Sequence, residues 1–168
     1  ITSMPAAFGS GGGRDTNNGP AGGAGGGCLR LTVGGTLTID GAIRADGLVG
    51  TGSQAGGGSG GSIWITAGAM TGVGAIGADG GNASQSGSGG AGGRIVIDLG
   101  SGGYGGPVTT FGGAGSQRGG AGTVMRRTNG ATGDLSIENL GVSAITPIPS
   151  SLSLVSNASV TNAIVRID

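Results

Sequence analysis

A heptapeptide recurs at a fixed distance: residues 41–47 read GAIRADG, and 33 positions later residues 74–80 read GAIGADG. A short alternation of apolar and polar residues, entered from a glycine-rich stretch, precedes each copy and returns twice more further along the chain. The apolar anchors of the four alternations, separated by 34, 32 and 29 residues, are Leu29, Ile63, Ile95 and Val124. A unit of this length cannot bury its apolar face alone and must stack on its neighbours. The sequence therefore predicts a repeat protein.

The composition is extreme, with 46 glycines in 168 residues, and such compositions often indicate disorder. A disordered glycine tract has no reason to return to the same apolar alternation on schedule, so we favour an ordered fold. Aromatic side chains are scarce: two Phe, one Trp and one Tyr. The interior must therefore be narrow and filled by aliphatic side chains.

Residues 29–47 give the pattern of one coil. Apolar residues alternate with polar ones, which is typical of half-buried strands, and glycine corners at 34–35 and 40–41 divide them into three short strands. We predict an all-β fold, a glycine-rich parallel β-helix or β-solenoid of about five coils with a period near 33 residues. The fifth coil is expected in residues 152–168. The inward ladder is predicted to contain Leu29, Leu31, Ile63, Ile65, Ile95, Ile97 and Val124.

Glycine tracts occupy residues 9–27, 47–61, 80–93 and 112–122, between the coils. We expect them to stack as extended or polyproline-II-like chains, because glycine has no Cβ to hold neighbouring chains apart. Three similar tripeptides predict an amide ladder of Gln54, Gln85 and Gln117, each after a serine. The alternative is that the tracts are mobile surface loops.

The organisation predicted from these patterns has three parts. An N-terminal segment and first tract cover residues 1–28, regular coils cover 29–127, and divergent C-terminal coils cover 128–168. Both solenoid ends are expected to be open, with residues 4–9 only a poor cap. The absence of an initiator Met and of a signal peptide suggests a processed form or an excerpt.

The composition also argues against several chemistries. The chain has no histidine and no lysine, which removes the commonest general base and any Schiff-base amine. Zinc ligands reduce to Cys28, which we interpret as a small wall residue. A formal net charge of zero gives no reason to expect nucleic acid, and no apolar run of about 18 residues predicts a membrane span.

Asp46 and Asp79 are the acids of greatest interest, because the repeat places them in one column. Two carboxylates one strand spacing apart repel unless a cation lies between them, and calcium suits such oxygen ligands. A retaining glycosidase also uses a close carboxylate pair. No cleft or aromatic platform accompanies this pair, and the simplest interpretation is that Asp-Gly is a turn dipeptide.

Thr32 and Thr66 share a predicted outward column, with further threonines nearby. A flat threonine array on a solenoid would suit an ice or crystal surface. Asp98 interrupts the column, which weakens this hypothesis.

The strings GGSIWITA, GGRIVI, GGAGTV and TPIPSSLSL (146–154) resemble the glycine-rich β-solenoid repeat regions of very large secreted or cell-surface bacterial proteins, often described as adhesin-like. The resemblance implies an extracellular structural or adhesive role and supplies no catalytic residue and no cofactor.

We therefore expect a non-enzymatic, stiff segment of an extracellular fibre, sheath or adhesin that self-associates end to end or laterally. The alternative is an adhesin binding module for a glycan or a mineral or ice surface. A polysaccharide-active enzyme is disfavoured.

Overall fold

The computed structural model describes residues 6–16, 19–140, 144–148 and 155–167, and this part of the chain contains strands and no helix. Its elements are β1 (Cys28–Thr38), β2 (Ala42–Arg44), β3 (Ser62–Thr71), β4 (Ala75–Gly77), β5 (Arg94–Leu99), β6 (Val108–Thr109), β7 (Thr123–Thr128), β8 (Gly133–Glu138), β9 (Ile145–Ile148), β10 (Val155–Thr161) and β11 (Ile164–Ile167).

The first seven strands form a parallel β-solenoid of about three turns. One sheet contains β1, β3, β5 and β7 in parallel, and a second contains β2, β4 and β6. The four anchors of the sequence repeat pair in one column, in the order Leu29, Ile63, Ile95 and Val124. The predicted period and register of the coils are thus confirmed in these strands.

Alternate residues of the long strands point into a narrow aliphatic core. Ile63, Ile65, Ile95 and Ile97 are at most 2% exposed. Burial of one such side chain stabilises the fold by roughly 1.5–3 kcal/mol. The inward assignment made from the alternation is confirmed for these four residues.

Each coil contains two strands and not the three predicted. β1 continues through Gly34 and Gly35, where its register against β3 shifts, so this glycine pair forms a bulge within one strand and not a corner. The sequence pattern misleads here because glycines that mark a bulge and glycines that mark a turn look alike.

The glycine tracts are ordered and complete each coil. We call residues 45–50, 78–83 and 110–115 the outbound limbs, and residues 22–27, 56–61, 88–93 and 117–122 the return limbs. Within a coil, the Gly61 N–H donates to Ala45 O at 2.7 Å. Between coils, the Gly57 and Gly60 N–H groups donate to the carbonyls of Ser88 and Ala91. Donors thus recur every third residue, which is the period of polyproline II.

The limbs need glycine for space and not for backbone conformation. Among the described glycines only Gly72, Gly102 and Gly130 have positive φ, and none of these lies in a limb. A Cβ on Gly58 or Gly90 would instead lie 2.0 Å from a carbonyl oxygen of the preceding return limb. Any side chain would separate the limbs and break their hydrogen bonds. The prediction that the tracts stack is therefore supported over that of mobile loops.

Residues 6–13 do not form an outbound limb like the others. They lie outside the return limbs, where the Gly9 N–H donates to Gly26 O and Ser10 O accepts from the Ser59 N–H. A Cβ on Gly25 would lie 1.9 Å from Gly9 O. One coil later the corresponding residue is Ser59, so a second segment of this kind cannot dock in the same way.

The chain reverses direction after β7, which replaces the expected further coils. Asn129 and Gly130 have positive φ, and the Ala131 N–H donates to Thr128 O, as in a tight hairpin turn. β8 then runs antiparallel to β7. β10 is parallel to β8 and β11 to β9, so residues 155–167 stack on this reversed segment and do not form a fifth coil of the solenoid. Residues 149–154 of the TPIPSSLSL string lie outside the described residues.

The C-terminal strands build a second core on the outer face of the first sheet. Residues of β3, β5 and β7 that alternate with the inward ones pack against residues of β8 and β9. The buried members of this cluster are Trp64, Val96, Ala121, Met125, Leu135, Ile137 and Ile148. The first sheet is therefore apolar on both faces over much of its area.

The third coil has a cap, contrary to the expectation of two open ends. Asn139 is fully buried on top of this coil. Its Oδ1 accepts from the Gly112 N–H at 2.9 Å, and its Nδ2 donates to Gly119 O at 3.1 Å. Thr146 Oγ1 donates to Ala121 O at 2.9 Å. These side chains bond backbone groups of the last limbs, and β8 covers the free edge of β7.

Candidate functional site

The first coil presents an open apolar end. β1 and β2 each lie at a sheet edge, so their outer backbone groups face no strand among the described residues. Leu29 is 36% exposed, whereas its counterpart Ile63 in the second coil is fully buried. Further apolar side chains at this end are only partly buried: Leu31, Val33, Leu37 and Ile43. Exposed edges and apolar surface of this kind mark a place for association.

Two side chains at the same end prevent the regular addition of another coil. Ala24 and Leu48 occupy limb positions that are glycine in the second coil, at Gly58 and Gly81. A Cβ on Gly81 would lie 2.0 Å from Leu48 O, and one on Gly58 would lie 2.0 Å from Ala24 O. The methyl of Ala24 and the side chain of Leu48 thus fill the space that a preceding limb would need. The end is open at its strands and closed at its limbs.

Asp46 and Asp79 lie in one column, as the repeat predicts, and their oxygens bind protein groups. Asp46 Oδ1 accepts from the Asp79 N–H at 2.8 Å, and Asp79 Oδ1 accepts from the Phe111 N–H at 2.7 Å. Arg44 Nη1 lies 3.4 Å from Asp46 Oδ2 and 3.3 Å from Asp79 Oδ2. Thr109 Oγ1 also donates to Asp79 Oδ2. The cation between the carboxylates is therefore a guanidinium, and each aspartate ties its coil to the next.

No group of three or more His, Cys, Asp or Glu side chains that could hold a metal ion occurs in the described ranges. Calcium at Asp46 and Asp79 thus stays a hypothesis, one in which the ion would have to displace Arg44.

The amide ladder predicted for Gln54, Gln85 and Gln117 does not form. All three side chains are exposed, and no hydrogen bond joins them to one another among the described residues. Gly50 pairs with Ala83, and the Ser86 N–H donates to Ser53 O. The tips are therefore shifted by two residues from the alignment that the tripeptides suggest.

Serine hydroxyls link the tips instead. Ser84 Oγ lies 2.6 Å from Gly52 O, and Ser116 Oγ lies 2.9 Å from Ser86 O. Each hydroxyl donates to a carbonyl of the preceding tip.

The threonine column is short, as the sequence indicates. Thr32 pairs with Thr66, and Thr66 pairs with Asp98, which lies 3.4 Å from Arg127. The column thus ends in an ion pair. Cys28 is a free, half-buried thiol paired with Ser62 at the start of β1, in the position predicted for a wall residue.

A pocket of about 200 Å³ lies at the other end of the solenoid interior. Its floor contains the buried side chains of Ile97, Leu99 and Tyr104. Arg126 lines it because it follows Ile97 in the inward column, where the preceding coils have an aliphatic residue. Burial lowers the pKa of the Arg126 guanidinium, and the nearby Asp134 opposes that shift.

Sequence reasoning overlooked both ends of the solenoid, although each has a signal in the sequence. Asn129-Gly130 between two alternating segments is a strong hairpin signal. Arg126 is a charged residue at a position that the register makes inward. Leu48 is a large residue where the later coils have glycine.

No protein-family model matches this chain, and neither a curated protein nor a solved structure matches it. The described residues contain no helix of the length and apolar character needed to cross a membrane.

Proposed function

We propose that the chain is a non-enzymatic structural module, a stiff β-solenoid segment of an extracellular fibre, sheath or adhesin. Its resemblance to glycine-rich solenoid repeats supports the extracellular role, and its stacked, hydrogen-bonded limbs support the mechanical one. The module associates with a second copy through the end of its first coil. The observation that carries this proposal is the partly exposed apolar residues beside the free edges of β1 and β2.

Association through this end is head to head and not an endless stack. Asn139 and β8 cap the third coil, and Leu48 and Ala24 oppose a regular coil on the first. A surface that meets itself about a twofold axis gives a closed dimer. Longer structures then require lateral contacts or a longer chain that contains the module.

Sedimentation velocity at increasing protein concentration tests this association. We expect a monomer–dimer equilibrium for the unsubstituted chain. Leu29→Lys places a charge on the edge strand β1, which blocks edge pairing, and is expected to give a monomer. Val73→Lys is the matched control, because Val73 is 83% exposed in the turn between β3 and β4 of the second coil, and it should leave the equilibrium unchanged.

At protein concentrations up to about 1 mM, even a dimer with a millimolar Kd would be populated. A chain that stays monomeric at all these concentrations would contradict the assembly proposal. Equal dimerisation of the two lysine variants would place the contact elsewhere. Filaments that form only with calcium would instead support Asp46 and Asp79 as ligands.

A second candidate function is that of an adhesin binding module for a glycan. The pocket at Arg126 favours it, because a concave apolar site with one half-buried charge is typical of a small-ligand site. The threonine column offers little support for an ice or mineral surface, because the Asp98–Arg127 pair interrupts it.

A further inference from the structure

The guanidinium of Arg126 is half-buried and has no acceptor among the described residues. Its side chain makes no hydrogen bond and no ion pair of 4.0 Å or less with any described residue. The carboxylate that acts on it is that of Asp134, the residue opposite it in the β7–β8 ladder. Asp134 is exposed, and its Oδ1 already accepts from Asn157 Nδ2 at 2.7 Å. Buried charges are normally paired, so this one has capacity for an anionic partner.

The rim of the pocket also offers free backbone groups. Gly102 and Gly103 form an exposed loop at the rim, and their N–H and C=O groups make no hydrogen bond in this part of the chain. Two larger grooves, of about 320 and 350 Å³, are more open, and neither presents a half-buried charge without a partner.

We propose that this pocket binds an acidic sugar residue, with the sugar carboxylate on Arg126. The apolar floor suits the C–H face of a sugar ring, and the Gly102–Gly103 backbone and Thr128 at the rim suit its hydroxyls. The volume is below the roughly 300–1,000 Å³ of pockets for drug-sized ligands, which limits the ligand to one small ring.

The charges around the pocket favour a carboxylate over a phosphate. Asp98 already neutralises Arg127, at 3.4 Å, and Asp134 lies close to Arg126. One unpaired guanidinium remains for the ligand, which suits a monoanion. A guanidinium and a carboxylate can also form two parallel hydrogen bonds.

This inference rests on the second candidate function and is independent of the assembly proposal, so its failure would leave the sedimentation result unaffected. Two-dimensional NMR titration of the ¹⁵N-labelled chain with methyl glucuronide tests it. Methyl glucoside is the neutral control for the sugar, and sodium acetate is the control for the carboxylate alone. We expect millimolar binding of the glucuronide, with shifted amide signals at Ile97, Leu99 and Arg126.

Loss of the charged hydrogen bonds should make the glucoside bind about tenfold more weakly or worse. Acetate should also bind more weakly than the glucuronide, because it lacks the ring. Equal binding of glucuronide and glucoside would show that Arg126 has no role in recognition. Equal binding of glucuronide and acetate would show that the pocket does not recognise the sugar ring. Absence of any shift up to about 100 mM, far weaker than the millimolar range, would overturn the site.

Arg126→Gln keeps most of the side-chain stem and removes the charge, and it should weaken glucuronide binding about tenfold or more. Arg30→Gln is the matched control at an arginine outside the pocket and should leave binding unchanged. Arg126→Lys keeps the charge and loses the planar fork, and it provides a second variant if Arg126→Gln does not fold. Arg126→Lys should weaken glucuronide binding several-fold, and an unchanged affinity would contradict bidentate recognition of the carboxylate.

Discussion

Alanine substitution at two equivalent glycines tests whether the limbs need glycine for its small size or for its conformational freedom. Gly61 and Gly27 occupy the same position one coil apart, each immediately before a long strand. A Cβ on Gly61 would lie 1.8 Å from Gly27 O, whereas one on Gly27 would meet nothing within 4 Å. Neither residue has positive φ, so alanine is conformationally allowed at both.

The loss of stability in Gly61→Ala can be worked out from the neighbouring limb that the new methyl group displaces. Overpacking of a rigid interior costs about 1–3 kcal/mol. The shift also strains two hydrogen bonds, from the Gly61 N–H to Ala45 O at 2.7 Å and from the Ser62 N–H to Gly27 O at 3.0 Å. Each such bond contributes about 0.5–1.5 kcal/mol. Loss of unfolded-state entropy returns about 0.4–1 kcal/mol. We expect a net destabilisation of about 3 kcal/mol by these terms.

Thermal unfolding followed by far-UV circular dichroism measures the difference, at protein concentrations where the chain is monomeric. At about 2–4 °C per kcal/mol, Gly61→Ala should lower the Tm by roughly 6–12 °C. Gly27→Ala should leave the Tm unchanged or raise it by a few degrees, because only the gain from the unfolded state remains. Equal stability of the two variants would refute the close approach of the limbs.

Three further perturbations test other parts of the fold. Ile65→Asp buries an unpaired carboxylate in the core and should abolish the cooperative thermal transition. Arg30→Ala removes an exposed guanidinium that lies 4.4 Å from the centre of the Trp64 ring, and it should cost at most about 1 kcal/mol of stability. Similar melting curves for the two variants would show that the inward assignment is wrong. Asn139→Ala leaves the Gly112 N–H and Gly119 O without their side-chain partner and should lower the free energy of unfolding in urea by about 2–4 kcal/mol. The control Asn82→Ala loses one hydrogen bond to the Ala114 N–H and should lower it by about 1 kcal/mol. A small effect at Asn139 would argue against a cap. Burial and, to a smaller extent, the charge of Asp40 raise the pKa of the Tyr104 phenol above 10.0. The folded state therefore holds this proton more tightly than the unfolded state, and stability should fall as the pH rises above about 10. The melting temperature of Tyr104→Phe should decline less steeply with pH, and an equal slope would contradict the assignment.

The strand register could be predicted because it depends on a local property repeated at a fixed spacing. The alternation around Ile63 and Ile95 specifies which face is inward, and a slip of one residue would expose the whole ladder. The limbs could be expected to stack because no other residue type allows so close an approach. These features of the solenoid require no knowledge of distant contacts.

Other features depend on contacts that no repeat encodes. The Gln54 and Gln85 tips are out of register because each limb pair closes with its own loop, and similarity of tripeptides does not measure loop geometry. The second core was missed because Trp64 and Val96 lie at outward positions, and only the reversal after β7 brings a cover to them. The pocket follows from the same reversal, which leaves Arg126 at the end of an aliphatic column.

Native-state amide hydrogen exchange of the return limb 88–93 tests most directly whether the glycine tracts are part of the fold. The N–H groups of Gly89, Gly90, Gly92 and Gly93 donate to neighbouring limbs, whereas those of Ser88 and Ala91 have no partner among the described residues. We expect protection at the four glycines comparable with that of the core strands, and fast exchange at Ser88 and Ala91. Exchange of all six amides at the rate of an unstructured peptide would contradict it.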